Sequence, residues 1–132
     1  MEINLFQLPK ILDSRGSLSF LENTAQIPFE IQRVFWTYDV PGGEKRGGHA
    51  YKEQIEVIIA LSGSFDVVVT MRNGVEKKYS LNRSYHGLLI PPLTWRHMEN
   101  FSTNSLSLHL SSEDFNETDY IRDFIDYTSI EG

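Results

Sequence analysis

The chain has no cysteine. Disulfide staples, thiolate nucleophiles and cysteine-ligated zinc are therefore excluded, and the composition fits a reducing compartment, with the cytoplasm as the expected location. No apolar run approaches the roughly 20 residues that a membrane-spanning helix requires. Met1-Glu2-Ile3-Asn4 carries neither a basic nor an apolar segment, so no signal peptide is expected. Positive charge is scarce: 12 Lys and Arg against 18 Asp and Glu give a formal charge of -6 and a pI near 5.1. Proteins that bind nucleic-acid duplexes are normally basic, whereas a single nucleotide asks only for a few local cations at its diphosphate. The 132 residues suit a single domain over 1–132, able to bury roughly two thirds of its unfolded surface.

Helical periodicity is also nearly missing. Strand patterns recur instead at short, even spacing, over residues 17–21, 31–40, 54–61, 64–71, 75–81, 87–90, 94–99 and 105–110. Ser62-Gly63 and Asn73-Gly74 read as turns, the second a strong hairpin signal because both residues tolerate positive φ. Pro91-Pro92 breaks one connection. Only residues 117–127 look helical. Many short strands with Gly, Pro and Asn turns predict an all-β sandwich or barrel. Strand parity places Arg33, Phe35 and Thr37 on one face and Val34, Trp36 and Tyr38 on the other. It pairs His49 with Tyr51, and Arg96 with Met98, opposite Trp95 and His97. An Arg facing inward requires an anion or a carboxylate; otherwise Arg33 lies at a strand end and reaches solvent. Trp36 and Trp95 are expected in the core, and His86 and His109 are given no role.

One spaced set stands out: Gly43, His49, Tyr51, Glu56 and Gly63. It resembles the first cupin motif, with Tyr51 standing where the second His belongs. Further segments extend the likeness: Asp13-Ser14-Arg15-Gly16, Ile27-Pro28-Phe29, Arg33-Val34, Arg46-Gly47-Gly48-His49-Ala50, Leu61-Ser62-Gly63-Ser64, Trp95-Arg96, Asn100-Phe101-Ser102 and Glu117-Thr118-Asp119-Tyr120-Ile121-Arg122. In order and spacing they resemble the sugar-nucleotide 3,4-ketoisomerases, over roughly residues 11–127. The resemblance implies a cupin jelly-roll barrel with a short C-terminal helical or irregular segment, a homodimer, and no metal or other cofactor. It implies movement of the keto group of dTDP-4-keto-6-deoxyglucose from C4 to C3 through an enediol. The product would feed an aminotransferase that makes 3-amino-3,6-dideoxyhexoses for polysaccharide biosynthesis. Neither nucleic acid nor membrane is an expected partner.

That chemistry asks for a base at C3, and the resemblance places it at His49; a histidine near neutrality suits the task. Tyr51, with an ordinary pKa of about 10, is neutral at pH 7 and a poor base. It either donates a proton or hydrogen bond to the enediolate, or only packs. Arg33, Arg46 and Lys52 are candidates for the diphosphate, since guanidinium and ammonium groups grip phosphate oxygens; the alternative for each is a solvated surface charge. Arg15 and Arg96 are placed near the sugar by the resemblance. His49, Tyr51, Glu56 and His97 loosely follow the cupin metal-ligand set. Against a metal stand Tyr51, Thr94 in place of a Gly, and the opposite parity of His97 and Arg96. The other open readings are a non-catalytic sugar-nucleotide-binding cupin and a metal-dependent cupin enzyme.

Overall fold

The computed structural model describes residues 1–130. Twelve strands are present: β1 (Asn4–Gln7), β2 (Lys10–Asp13), β3 (Gly16–Ser19), β4 (Arg33–Tyr38), β5 (Arg46–Tyr51), β6 (Glu56–Ser62), β7 (Phe65–Thr70), β8 (Glu76–Leu81), β9 (His86–Ile90), β10 (Trp95–Glu99), β11 (Leu106–Ser111) and β12 (Tyr120–Ile121). They form two five-stranded sheets, ordered β1-β9-β6-β11-β4 and β12-β5-β10-β7-β8, and a separate two-stranded hairpin of β2 and β3. All pairings are antiparallel. Among the described residues the arrangement is a jelly roll with a lone short helix, α1 (Phe124–Thr128), near its end. The Asn73-Gly74 turn forms as predicted. Gly74 takes φ +86, the Met71 amide bonds the Val75 carbonyl, and Asn73 Oδ1 accepts from the Val75 amide.

The apolar core lies between the sheets at one end of the barrel, where Ile58, Ala60, Phe65, Val67, Leu81, Leu88, Ile90 and Met98 pack together. A second cluster lies on the outer face of the first sheet, where Val57, Ile59, Leu89 and Leu110 meet Ile27 and Phe29. This covering explains why the first five residues of β6 are buried without alternation: both of its faces are roofed, so period-2 polarity has no solvent side to report.

Two expectations fail here. Trp36 is not core; it is 57% exposed, with Val34 and Tyr38 beside it on the outer face of the edge strand β4. The inward positions of that strand belong to Arg33, Phe35 and Thr37. Nor is 117–127 one helix. Asn116 caps a single 3-10 turn at Glu117–Asp119. Tyr120 and Ile121 then extend to pair with Tyr51 and Ala50, and Asp123 caps α1 by accepting from the Ile125 and Asp126 amides. Strand pairing outcompetes a weak local helix signal. Trp95, also expected in the core, is only partly buried: on the face opposite Arg96, as parity requires, it packs against Phe124 and Tyr127 on the outside of the second sheet.

Candidate active site

The other end of the barrel interior is polar. Antiparallel register brings its side chains together from distant parts of the chain: Arg96 is the cross-strand partner of His49, His109 of both Phe35 and Ile58, and Tyr120 of Tyr51. Parity on β6 turns Glu56 inward with Ile58.

Glu56 and Arg96 form the base of the site, fully buried at 0% and 1% exposed. The guanidinium grips the carboxylate through Nη2, 2.7 Å from Oε1 and 3.0 Å from Oε2, and through Nε, 3.2 Å from Oε1. A further donor, Nη1, bonds the Gly47 carbonyl. Glu56 Oε2 also accepts from His109 Nδ1 at 3.2 Å. His109 Nε2 in turn lies 3.0 Å from Ser107 Oγ, and its ring stacks on Phe35 at 4.5 Å between centroids. Burial disfavours the Glu56 carboxylate, but Arg96 and His109 more than offset it and hold the group below its usual range. Burial keeps His109 below its ordinary value despite Glu56. His109 is therefore neutral, with Nδ1–H donating to Glu56 and the Ser107 hydroxyl donating to Nε2.

Above this base stand three rings. His49 and Tyr51 meet edge to face at 4.7 Å, and Tyr120 lies 5.0 Å from His49 and 4.8 Å from Tyr51. The Arg96 guanidinium lies 5.5 Å from the Tyr51 ring centroid. Burial foremost, then the Arg96 charge, push His49 down to about 3, with Glu56 acting in the opposite sense. The imidazole is thus unprotonated at neutral pH, with its Nε2 lone pair open. Burial, then Glu56, push the Tyr51 phenol above its ordinary value, leaving it a protonated donor.

Four buried polar atoms here have no partner among the described residues: His49 Nε2, Tyr51 Oη, Arg33 Nε and Gln54 Nε2. Buried polar groups are almost always satisfied, so four orphans around one ring cluster mark a place built for a polar ligand. The Arg33 Nη2 donates to Gln54 Oε1 at 3.0 Å and to Tyr120 Oη at 3.3 Å, and the guanidinium stacks between Phe35 and Phe115. Two free N–H donors, Arg33 Nε and Gln54 Nε2, suit an anion or a carbonyl acceptor.

The structure gathers some of the sequence-predicted residues and separates others. His49, Tyr51, Arg33 and Arg96 converge. Arg96, however, presents no surface to a ligand; its donors are committed to Glu56 and Gly47. Lys52 lies at the Gln54 end of the site, where its amide bonds the Asp119 carbonyl and Asp119 accepts from the Glu53 and Gln54 amides. Arg46 is at the opposite end of β5, about 20 Å along the strand from Lys52 at roughly 3.3 Å per residue, so the two cannot share one diphosphate. Arg15 is at the turn of the β2–β3 hairpin, paired with Asp13 at 2.9 Å. The residues also do not fit a metal centre. Glu56 spends both oxygens on Arg96 and His109, and His97 points to the outside, 2.6 Å from Glu99. Sequence reasoning missed His109, Gln54, Tyr120 and Phe115. Only Tyr120 carried a signal, as part of the resembling segment 117–122.

A family model described as FdtA (WxcM-like, C-terminal) matches residues 1–132. The TDP-4-oxo-6-deoxy-α-D-glucose-3,4-oxoisomerase of Aneurinibacillus thermoaerophilus is 38% identical over 124 residues, covering 94% of this chain and 88% of that protein. A 3,4-ketoisomerase from Helicobacter canadensis superimposes with a TM-score of 0.92 at 39% identity, covering 97% of this chain and 96% of that one. A mutant of the 3,4-ketoisomerase QdtA from Thermoanaerobacterium thermosaccharolyticum, in complex with TDP-4-keto-6-deoxyglucose, does so with 0.92 at 36% identity, covering 96% and 91%. With a matching family model over its whole length and relatives well above 30% identity, this chain belongs to the FdtA, WxcM-like family.

Proposed function

We propose that this protein is a 3,4-ketoisomerase acting on dTDP-4-keto-6-deoxyglucose, with His49 as base and Tyr51 as proton donor. The observation that carries the reading is the pair of unpartnered atoms, His49 Nε2 and Tyr51 Oη, on neighbouring buried rings. The step balances on these two groups alone. His49 Nε2 takes the C3 proton, the freed electron pair forms the C3=C4 bond, and Tyr51 gives its proton to O4. Collapse runs the other way: O3 yields its proton to Tyr51 as C3=O forms, and His49 returns its proton to C4. Both residues end as they began. Arg33, with its free Nε beside Gln54, and Lys52 beyond them are the groups that face the diphosphate, and Phe115 and Tyr120 supply aromatic surface beside them. The product is a 3-keto sugar nucleotide suited to an aminotransferase in polysaccharide biosynthesis.

A homodimer completes the assembly in this reading. Among the described residues the β2–β3 hairpin pairs with no other strand and exposes Ile11, Leu12 and Leu18, while edge strand β4 exposes Val34, Trp36 and Tyr38. Apolar surface of this kind on an unpaired edge is a liability in a monomer. A two-fold contact would cover it. Sedimentation of Leu12→Asp and Trp36→Asp variants tests this; both are expected to run as monomers.

The deciding experiment for the activity is proton NMR of dTDP-4-keto-6-deoxyglucose with the protein in deuterated water. New 3-keto signals are expected, with deuterium at C4 to the extent that the proton held on His49 exchanges with solvent before it is returned. An unchanged substrate spectrum with broadened thymine signals refutes turnover.

A further inference from the structure

The four unpartnered atoms of the site, Arg33 Nε, His49 Nε2, Tyr51 Oη and Gln54 Nε2, are all buried. A ligand reaches them only if a wall of the site moves. Most of the walls are barrel strands, each hydrogen-bonded along a ladder. The connection from β11 to β12 is different, and it touches every residue that carries one of the four atoms. The Tyr120 ring lies against His49 and Tyr51, and its hydroxyl accepts from Arg33 Nη2. Phe115 lies over the Arg33 guanidinium. Asp119 accepts from the Gln54 amide.

This connection is fixed firmly at its two ends and lightly between them. At Ser112 the amide bonds the Ile55 carbonyl, and the hydroxyl accepts from the Ile55 amide. At the far end Ile121 is buried with Ala50 and Tyr127. Residues 113–118 are exposed, Phe115 among them at 56%, so little apolar burial holds them down. Asp119 supplies the hold instead. Its carboxylate accepts from the Glu53 amide at 2.8 Å and the Gln54 amide at 3.2 Å, and its carbonyl accepts from the Lys52 amide at 2.9 Å. The turn itself is braced by the Asn116 cap and by Arg122, which grips Glu117 at 2.7 Å and lies over the Tyr120 ring. A short braced segment between two anchored ends is built to move as one piece.

We propose that residues 113–120 are a cover that swings off the active site to admit substrate, and that Asp119 is its latch. The inference rests on the isomerase reading, because the molecule admitted is the sugar nucleotide of that reading. Closure brings Tyr120 onto the two catalytic rings and Phe115 onto Arg33, and it keeps bulk water from the enediol. The amides that the latch engages belong to Lys52, Glu53 and Gln54. Closing the cover therefore also sets the loop that presents Lys52 and Gln54 to the substrate.

The chain has no cysteine, so a cysteine pair introduced at Glu53 and Thr118 is the only target for a thiol reagent. Both residues are exposed and line one cleft beside the latch. The variant Glu53→Cys/Thr118→Cys is bridged with a short bis-maleimide, and the same variant capped with N-ethylmaleimide is the control. Amide hydrogen exchange is followed by 15N-correlated NMR on the full chain without ligand. In wild type the Lys52, Glu53 and Gln54 amides should open together, at least about tenfold faster than the β6 amides. Bridging should slow all three at least about tenfold relative to the capped protein. Asp119→Ala leaves the bond from the Lys52 amide to the residue 119 carbonyl in place and removes only the carboxylate; it should nevertheless speed Lys52 exchange about tenfold or more. With dTDP-4-keto-6-deoxyglucose, kcat/KM of the bridged protein should fall at least about tenfold below that of the capped protein. Exchange of the three amides only together with β6, no slowing on bridging, or equal kcat/KM in bridged and capped protein overturns the cover. An unchanged Lys52 rate in Asp119→Ala overturns the latch. The exchange measurements need no substrate, so they decide the cover even if wild type fails to turn over the dTDP-sugar, an outcome that refutes the isomerase reading alone.

Discussion

Arg96→Met should destabilise the protein severely at pH 7 and much less at acid pH. The substitution keeps roughly the aliphatic stem but removes three of the four donor contacts to Glu56. It leaves a carboxylate at 0% exposure facing only His109 Nδ1. Breaking a buried ion pair from one side costs about 3–5 kcal/mol, a large part of the roughly 5–15 kcal/mol that holds a typical domain folded. For a chain of this size that is a fall in Tm of roughly 10–20 °C. The pH dependence identifies the cause. In wild type the Glu56 pKa lies below its unfolded value of about 4.3. Its contribution is therefore fully present above pH 4.3 and is lost as the pH falls through the folded value. In Arg96→Met, burial without the guanidinium raises the folded value above 4.3. The buried charge then penalises folding at pH 7, and the penalty disappears as the pH falls through that raised value toward 4.3. Urea unfolding of both proteins at pH 7, 6, 5 and 4.5 should show the gap between them narrowing steadily with acid. A gap under about 1 kcal/mol at pH 7, or one that widens with acid, would refute the claim that Glu56 is a charged group held by Arg96.

Gly47→Ala should lower stability by about 1–3 kcal/mol in urea melts, because Gly47 sits at φ +72 and a Cβ there would collide with Arg96 Nη1; Gly43→Ala, also at positive φ but in open space, should cost less. Tyr51→Phe removes a donor without changing the ring contacts, so it should lower kcat for the dTDP-sugar by about 100-fold or more while leaving thermal unfolding within a few degrees of wild type; full activity in this variant would end the donor assignment. Because burial and Arg96 hold His49 near 3, kcat/KM should stay flat from pH 8 down to about 5; a fall with a midpoint near the ordinary histidine value of about 6.5 would show an unburied, unperturbed base.

What the sequence disclosed of this site was whatever depends on the two-residue period of a strand, and what it withheld depends on which strand lies opposite. Parity alone put Arg96 with Met98 and turned His97 away, and both hold because alternation is fixed by backbone geometry. Parity also grouped Arg33 with Phe35, but it does not say which face is inward, and the aromatic character of Trp36 suggested the wrong one. On β11 the same ambiguity hid His109. In Leu106–Ser111 the leucines alternate with Ser107, His109 and Ser111, and the usual rule points the leucines inward. Here the first sheet is roofed on its outer face, so Leu110 is buried there and the polar set lines the barrel. The partners of Glu56 lie 40 and 53 residues away along the chain, so no local pattern joins them. Their meeting is set by register, and the register near the site turns on Gly47. His49 pairs with Arg96 but Arg46 pairs with Met98, a one-residue shift between β5 and β10. A glycine with positive φ at that shift is the signature of a bulge that re-aims side chains. It lets His49 and Tyr51 face inward beside Arg96, and it turns the Gly47 carbonyl onto the guanidinium that the rest of the network holds. The Gly47-Gly48 pair stood in the sequence as one piece of a resemblance; its physical task is to put the base and the buried cation on the same rung.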